Sequence, residues 1–222
     1  MPALASEEGM HYSATLIGET GTTCTMHKIS TRHLGIIFDL DGTLVDSALD
    51  FNLLCQKLGW PPGTPILEHL VQISDPQQRL QAEHIIEQFE LEGAAKARWM
   101  PGAESLLHLL QQQGVQTAIL TRNIKSATQL CIEKLSIPIS LVLTREDCAP
   151  KPDPAGLWQI AKNWQLDCQQ LLFVGDYLFD LQTARRAGMP SCLYRCTDNG
   201  HFAAQADFVI DHFVELQQIY QD

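Results

Sequence analysis

The apolar and polar positions along the chain divide it into a strand, a helical stretch and a long alternation of helix and strand. Leu34 to Phe38 is an unbroken apolar run, the pattern of a short strand buried on both faces. Before it, residues 1–33 hold Gly, Thr and Ser freely with no apolar period and read as a loosely ordered tail. That tail lacks the apolar centre of a secretory signal and the Arg-rich, acid-poor character of a transit peptide; Met26 offers an alternative start just ahead of the strand. From Ser47 the period becomes helical, with Leu49, Leu53, Leu54 and Leu58, and Gly59 with Pro61-Pro62 closes the segment. Asp75-Pro76 has the form of an N-cap followed by proline at the first helical position. A helix is expected from there to about Trp99, with Leu80, Ile85, Ile86 and Phe89 as its apolar positions. Nothing between Ser47 and Trp99 reads as a strand, and Met100-Pro101-Gly102 reads as a hinge back to the main body. That hinge favours a helical insertion over a set of helices belonging to the main core.

Beyond Pro101 the spacing predicts helices over 103–113, 124–135, 154–165, 181–187 and 214–220, and strands over 115–120, 139–143, 171–174, 191–194 and 207–210. Gly114 and Gly188 stand where left-handed C-caps end helices. Strands alternating with helices imply an α/β fold, a doubly wound parallel sheet with helices on both faces. Such sheets bind ligands beyond the carboxyl ends of their strands, near a switch in strand order. Asp39, Thr121 and Asp176 each fall just past a predicted strand, and Lys151 lies in a loop soon after another.

The candidate chemistry begins in the string Phe38-Asp39-Leu40-Asp41-Gly42-Thr43-Leu44-Val45-Asp46-Ser47. Alternation along an extended chain puts the Asp39 and Asp41 carboxylates on one side, where they repel unless a cation intervenes or one keeps its proton. A bare DxD is most often an acidic turn; the ten-residue string carries more. It closely resembles the first motif of the haloacid dehalogenase (HAD) superfamily of aspartate-nucleophile phosphohydrolases. The rest of the chain resembles the remaining motifs: Thr121 the second, Lys151 in Lys151-Pro152-Asp153-Pro154 the third, and Gly175-Asp176 with Asp180 the fourth, GDxxxD. Alone, Thr121 is a common helix cap, Lys151 a surface turn and Gly175-Asp176 a simple turn. Many relatives place Asn directly after the second-motif residue, whereas here Arg122 intervenes before Asn123.

The resemblance implies a Rossmann-like HAD core of residues 34–46 and 101–222, with a small all-helical cap at 47–100, as in phosphoglycolate-phosphatase-like members. It implies Asp39 as nucleophile and Asp41 as general acid and base. Thr121 and Lys151 would hold the phosphoryl group, and Asp39, Asp41 (through its main-chain carbonyl), Asp176 and Asp180 would hold Mg²⁺. Gly42 and Thr43 form a tight turn whose amides suit phosphate oxygens. Arg122 and Asn123 are further candidates for substrate contact.

A formal net charge of −11 argues against nucleic-acid or anionic-membrane partners and leaves the capture of a small phosphorylated substrate to a few local cations and a metal. Seven scattered cysteines without a CxxC suit reduced thiols in a cytoplasmic setting, with Cys192 and Cys196 as small buried residues. His69, His84 and His108 are isolated and read as surface or interface residues. The expected function is a Mg²⁺-dependent phosphatase of a small metabolite, either phosphoglycolate-like or a sugar phosphate. The second aspartate argues against the dehalogenase branch. A β-phosphoglucomutase-like phosphomutase and a non-catalytic binding protein retaining the fold are the rival readings.

Overall fold

The apolar run ahead of the paired aspartates forms β1 (Gly35–Phe38), buried at every position. The computed structural model describes Ile29 and residues 32–221, so most of the expected tail, Met26 included, lies outside the described residues. After β1 come β2 (Val45–Asp46), α1 (Phe51–Leu58), α2 (Ile66–Leu70), α3 (Pro76–Lys96) and β3 (Arg98–Trp99). Helix and strand then alternate through α4 (Ala103–Gln112), β4 (Gln116–Leu120), α5 (Lys125–Leu135), β5 (Leu141–Leu143), α6 (Ala155–Trp164) and β6 (Leu171–Gly175). They continue through α7 (Leu178–Ala187), β7 (Ser191–Tyr194), β8 (Phe208–Ile210) and α8 (Val214–Tyr220).

The main sheet has six strands in the order β5-β4-β1-β6-β7-β8, and every pairing within it is parallel. The chain moves outward from β1 to β4 and β5, then returns to the other side of β1 and runs through β6 and β7 to β8. The switch in strand order therefore falls at β1, where such sheets open a crevice at their carboxyl ends. Strand alternation divides the core between two faces. Ile36 and Phe38 join the larger cluster, with Leu106 and Leu110 of α4, Ala127 and Cys131 of α5, and Leu216 and Tyr220 of α8. Ile37 faces the other way, into a cluster with Leu157 and Ile160 of α6 and Ala184 of α7.

Helix ends follow the local signals. The Asp75 side chain accepts the Gln77 amide ahead of Pro76, and Asp50 does the same for Asn52 and Leu53 at α1. Gly114 and Gly188 both take φ +69°, the left-handed conformation that lets a helix stop without a Cβ penalty. Three features depart from the sequence reading. α2 is only five residues long, too short for a helical period to register. β2 and β3, two residues each, pair antiparallel where the chain leaves and rejoins the sheet, Val45 opposite Trp99 and Asp46 opposite Arg98. Leu80, expected as an apolar position of α3, is exposed, as is Cys196, whereas Cys192 is fully buried.

The helices between β2 and β3 have a small core of their own. Leu54, Ile86 and Phe89 pack there with Leu49, Leu58, Trp60 and Ile66. Ala94, in the last turns of α3, joins the larger sheet cluster instead, so α3 belongs to both. Among the described residues, no helix is long and apolar enough to cross a membrane.

Candidate active site

The loop after β1 is fixed by two leucines and one glycine. Leu40 and Leu44 are fully buried in the larger core cluster, anchoring the loop on either side of its turn. Gly42 takes φ +77°, and a Cβ there would stand 2.4 Å from Asp176 Oδ2, so only glycine lets the two loops approach. The Gly42 amide, expected to suit phosphate, instead donates to the Val45 carbonyl at 2.8 Å, and the amides of Leu44 and Val45 both donate to the Leu40 carbonyl at 2.9 Å, because the turn closes on itself as it leads into β2. The Asp39 amide donates to the Val174 carbonyl at 2.9 Å, continuing the ladder to β6 for one residue past the strand.

Asp39, Lys151, Asp176 and Asp180 meet beyond the carboxyl ends of β1 and β6. Lys151, nearly fully buried, donates from Nζ to Asp39 Oδ1 and to Asp180 Oδ1, each at 2.6 Å. Carboxylate oxygens of Asp39, Asp176 and Asp180 lie within 4.8 Å of one another. The Thr43 hydroxyl donates to Asp176 Oδ1 at 3.3 Å, and the Tyr177 amide donates to Asp180 Oδ2 at 2.9 Å. Asp180 is thus engaged through both oxygens, which suits a group that orients its neighbours.

Asp41 stands outside this carboxylate cluster. β1 ends at Phe38, and strand alternation gives way to the turn, so the two aspartates of the motif have different partners. Asp41 Oδ1 accepts from the Ser47 hydroxyl, and Oδ2 accepts from the Asn123 side-chain amide. Thr121, buried just past β4, accepts the Asn123 amide on its hydroxyl at 3.2 Å, three residues ahead of the Ile124 N-cap of α5. Arg122 turns elsewhere. Its Nη2 donates to both carboxylate oxygens of Glu68 at 2.8 and 3.0 Å, Nη1 donates to the Lys151 carbonyl, and the guanidinium lies 4.4 Å above the Phe179 ring centre.

Burial dominates the electrostatics. It pushes the Asp39 carboxyl up to about 7; Lys151 pulls back, while Asp180 and Asp41 push further up. Burial likewise raises Asp176 well above the carboxylate range, with Asp39 and Asp180 adding to it. Asp41 is raised by burial against the opposing hydrogen bonds from Ser47 and Asn123. At Lys151 burial opposes the charge, but Asp180 and Asp39 together outweigh it and raise the ammonium above its ordinary value. One ammonium shared among clustered buried carboxylates leaves negative charge uncompensated. A hard divalent cation with oxygen ligands fits that donor set.

Several residues that the sequence did not single out hold these groups in place. Glu90 of α3 is buried and accepts the Ile124 amide at 3.0 Å and Arg145 Nη1 at 2.5 Å. Arg145 also donates from Nη1 to the Arg122 carbonyl at 2.7 Å and from its amide to the Asn123 carbonyl at 3.3 Å. This clamp fixes the backbone carrying Arg122, Asn123 and Ile124. The side-chain amide of buried Asn199 donates to the Asp176 carbonyl at 2.7 Å and the Tyr194 carbonyl at 3.0 Å. No local pattern marks Glu68 or Glu90, because their partners lie 34 to 55 residues away. For Asn199 the local sequence offers only the Asn-Gly pair with Gly200, a general turn signal.

Residues 55–194 match the family described as haloacid dehalogenase-like hydrolase. A haloacid dehalogenase-like hydrolase domain-containing protein of Arabidopsis thaliana is 29% identical over 209 residues, covering 86% of this chain and 85% of its own. A phosphoglycolate phosphatase of Cereibacter sphaeroides is 30% identical over 185 residues, covering 72% of this chain and 84% of its own. Among solved structures, a hydrolase from Pseudomonas syringae superposes with a TM-score of 0.69 at 23% identity, covering 83% of this chain and 96% of that one, a likeness of fold. With the family match and the parallel sheet both established, the chain belongs to the haloacid dehalogenase-like hydrolases, as a phosphoglycolate-phosphatase-like enzyme of the phosphoric-monoester-hydrolase type.

Proposed function

We propose that the protein is a Mg²⁺-dependent phosphatase that hydrolyses a small phosphorylated metabolite through an aspartyl-phosphate. The observation that carries this reading is the buried Lys151 ammonium held at 2.6 Å by both Asp39 and Asp180, with Asp176 in the same carboxylate cluster. In this reading residues 34–46 and 101–222 are the catalytic core, and residues 47–100 are a cap over the strand ends. The carboxylates of Asp39 and Asp176 and the main-chain carbonyl of Asp41 would hold the metal, with Asp180 behind them. When bound, the ion neutralises the charge that gathers between these carboxylates and the phosphoryl oxygens.

Lys151 fixes one oxygen of Asp39, and the other attacks phosphorus, forming the Asp39 O–P bond as the bond to the leaving oxygen breaks. Asp41, whose pKa burial raises, gives its proton to that leaving oxygen. Ser47 and Asn123 each donate to the carboxylate that remains, which favours its ionised form for the second step. Asp41 then takes a proton from water as the water oxygen attacks phosphorus, releasing inorganic phosphate and Asp39. Thr121 and the Thr43 amide would position the phosphoryl group, and Lys151 would balance its charge.

The test is hydrolysis of a chromogenic aryl phosphate by the purified protein. Turnover is expected with Mg²⁺, lost on chelation, restored by re-addition, and reduced at least about a thousandfold in Asp39→Asn, as for loss of a nucleophile. Absence of turnover on this probe and on a panel of phosphometabolites overturns the proposal. An isomeric phosphate ester in place of free phosphate would assign a phosphomutase instead.

A further inference from the structure

The guanidinium of Arg122 is anchored to the core side of the site. Its Nη1 donates to the carbonyl of Lys151, the residue that grips Asp39, and its face lies on Phe179. Its main-chain carbonyl is held by Arg145. Its Nη2 donates to both oxygens of Glu68. Glu68 lies on α2, a five-residue helix without a buried residue. A planar guanidinium recognises carboxylate or phosphate, and here the carboxylate it holds comes from α2.

We propose that Glu68 and Arg122 form a specificity element: Arg122 is a core-anchored receptor for a second anionic group on the substrate, and Glu68 fills that receptor from within the chain. A leaving group bearing a carboxylate or a second phosphate gains Arg122 only by expelling Glu68. A neutral, hydroxylated leaving group is accommodated with the pair intact. The Arg122 and Glu68 side chains are 20% and 39% exposed, so the pair has the modest strength of ion pairs near solvent, and a ligand is able to displace it. This inference rests on the phosphoryl site proposed above, but its test does not depend on turnover.

Binding of two probes, 2-phosphoglycolate and 2-hydroxyethyl phosphate, is measured by calorimetry with Mg²⁺ in an Asp39→Asn background. Glu68→Gln is expected to raise the affinity ratio in favour of the carboxylated probe by about tenfold, because the internal occupant loses its charge and competes less well for the guanidinium. Arg122→Lys in place of Glu68→Gln is expected to lower the ratio, since an ammonium lacks the planar donor set. An unchanged ratio in Glu68→Gln, or equal weakening of both probes, overturns the proposal and leaves Glu68 as a structural contact. A ratio that rises while the native protein shows no turnover sustains this inference and removes the phosphatase reading. Failure of every variant to bind either probe overturns both.

Discussion

Asp147 shows how single residues shape the loops around the site. It accepts from the Thr144 amide at 3.0 Å and the Thr144 hydroxyl at 2.7 Å, folding the segment between β5 and Lys151. The Thr144 hydroxyl and then its amide hold the Asp147 carboxyl below its ordinary value, and Lys125 adds to this against a small push from burial. A carboxyl depressed on folding contributes stability above its unfolded pKa of about 3.9, and that stability disappears as pH falls through the lower folded value. Asp147→Asn is therefore expected to lower the urea midpoint at pH 7, and the difference from the native chain should shrink steadily below about pH 4. A difference independent of pH would mean that charge has no part in holding this loop.

Between elements, the decisive contact is α3 against α5. Glu90, on the inner side of α3, supplies an acceptor to the N-cap residue of α5 and a partner to Arg145, which in turn holds the carbonyls of Arg122 and Asn123. Asn123 donates to Asp41, so a helix of the insertion reaches the proposed general acid through a short chain of hydrogen bonds. Glu90→Ala would leave Arg145 and the Ile124 amide without this acceptor in a buried setting, at a cost of about 3 kcal/mol. The expected result is a marked fall in kcat with alkyl phosphates and a smaller fall with aryl phosphates, whose leaving groups need less protonation. Glu90→Gln keeps an acceptor and should recover part of the rate. Equal losses on both substrates would separate Glu90 from Asp41. The sequence marked α3 and α5 as helices and Asp75 as a cap, because capping and periodicity are written locally. It could not mark Glu90, whose partners come from other helices and loops.

On the scale of the whole molecule, two cores flank the sheet and a third, smaller one lies among the helices between β2 and β3, around Leu54, Ile86 and Phe89. Phe89→Ala removes much of that small core, at about 3 kcal/mol, and hydrogen exchange is expected to accelerate in α1 and the first half of α3 while β1, β4 and β6 stay protected. Acceleration throughout the sheet would show that insertion and core unfold as one unit. The parallel sheet was legible from the chain because a strand buried on both faces must be apolar throughout, and its crossover helices must carry a stripe toward it. The same alternation placed Asp39, Thr121 and Asp176 at strand ends and Lys151 in a loop soon after another, and the order of the motifs marked them as candidates. Only the tertiary structure separated Asp39 from Asp41 by partner, joined Lys151 to Asp180, turned Arg122 toward Glu68 and brought Glu90 and Asn199 to the site. Those contacts join residues far apart in sequence, whose side chains meet only when strand order, helix packing and loop closure are all in place. Local sequence sets which element each residue belongs to, and the folded chain alone sets which of them touch.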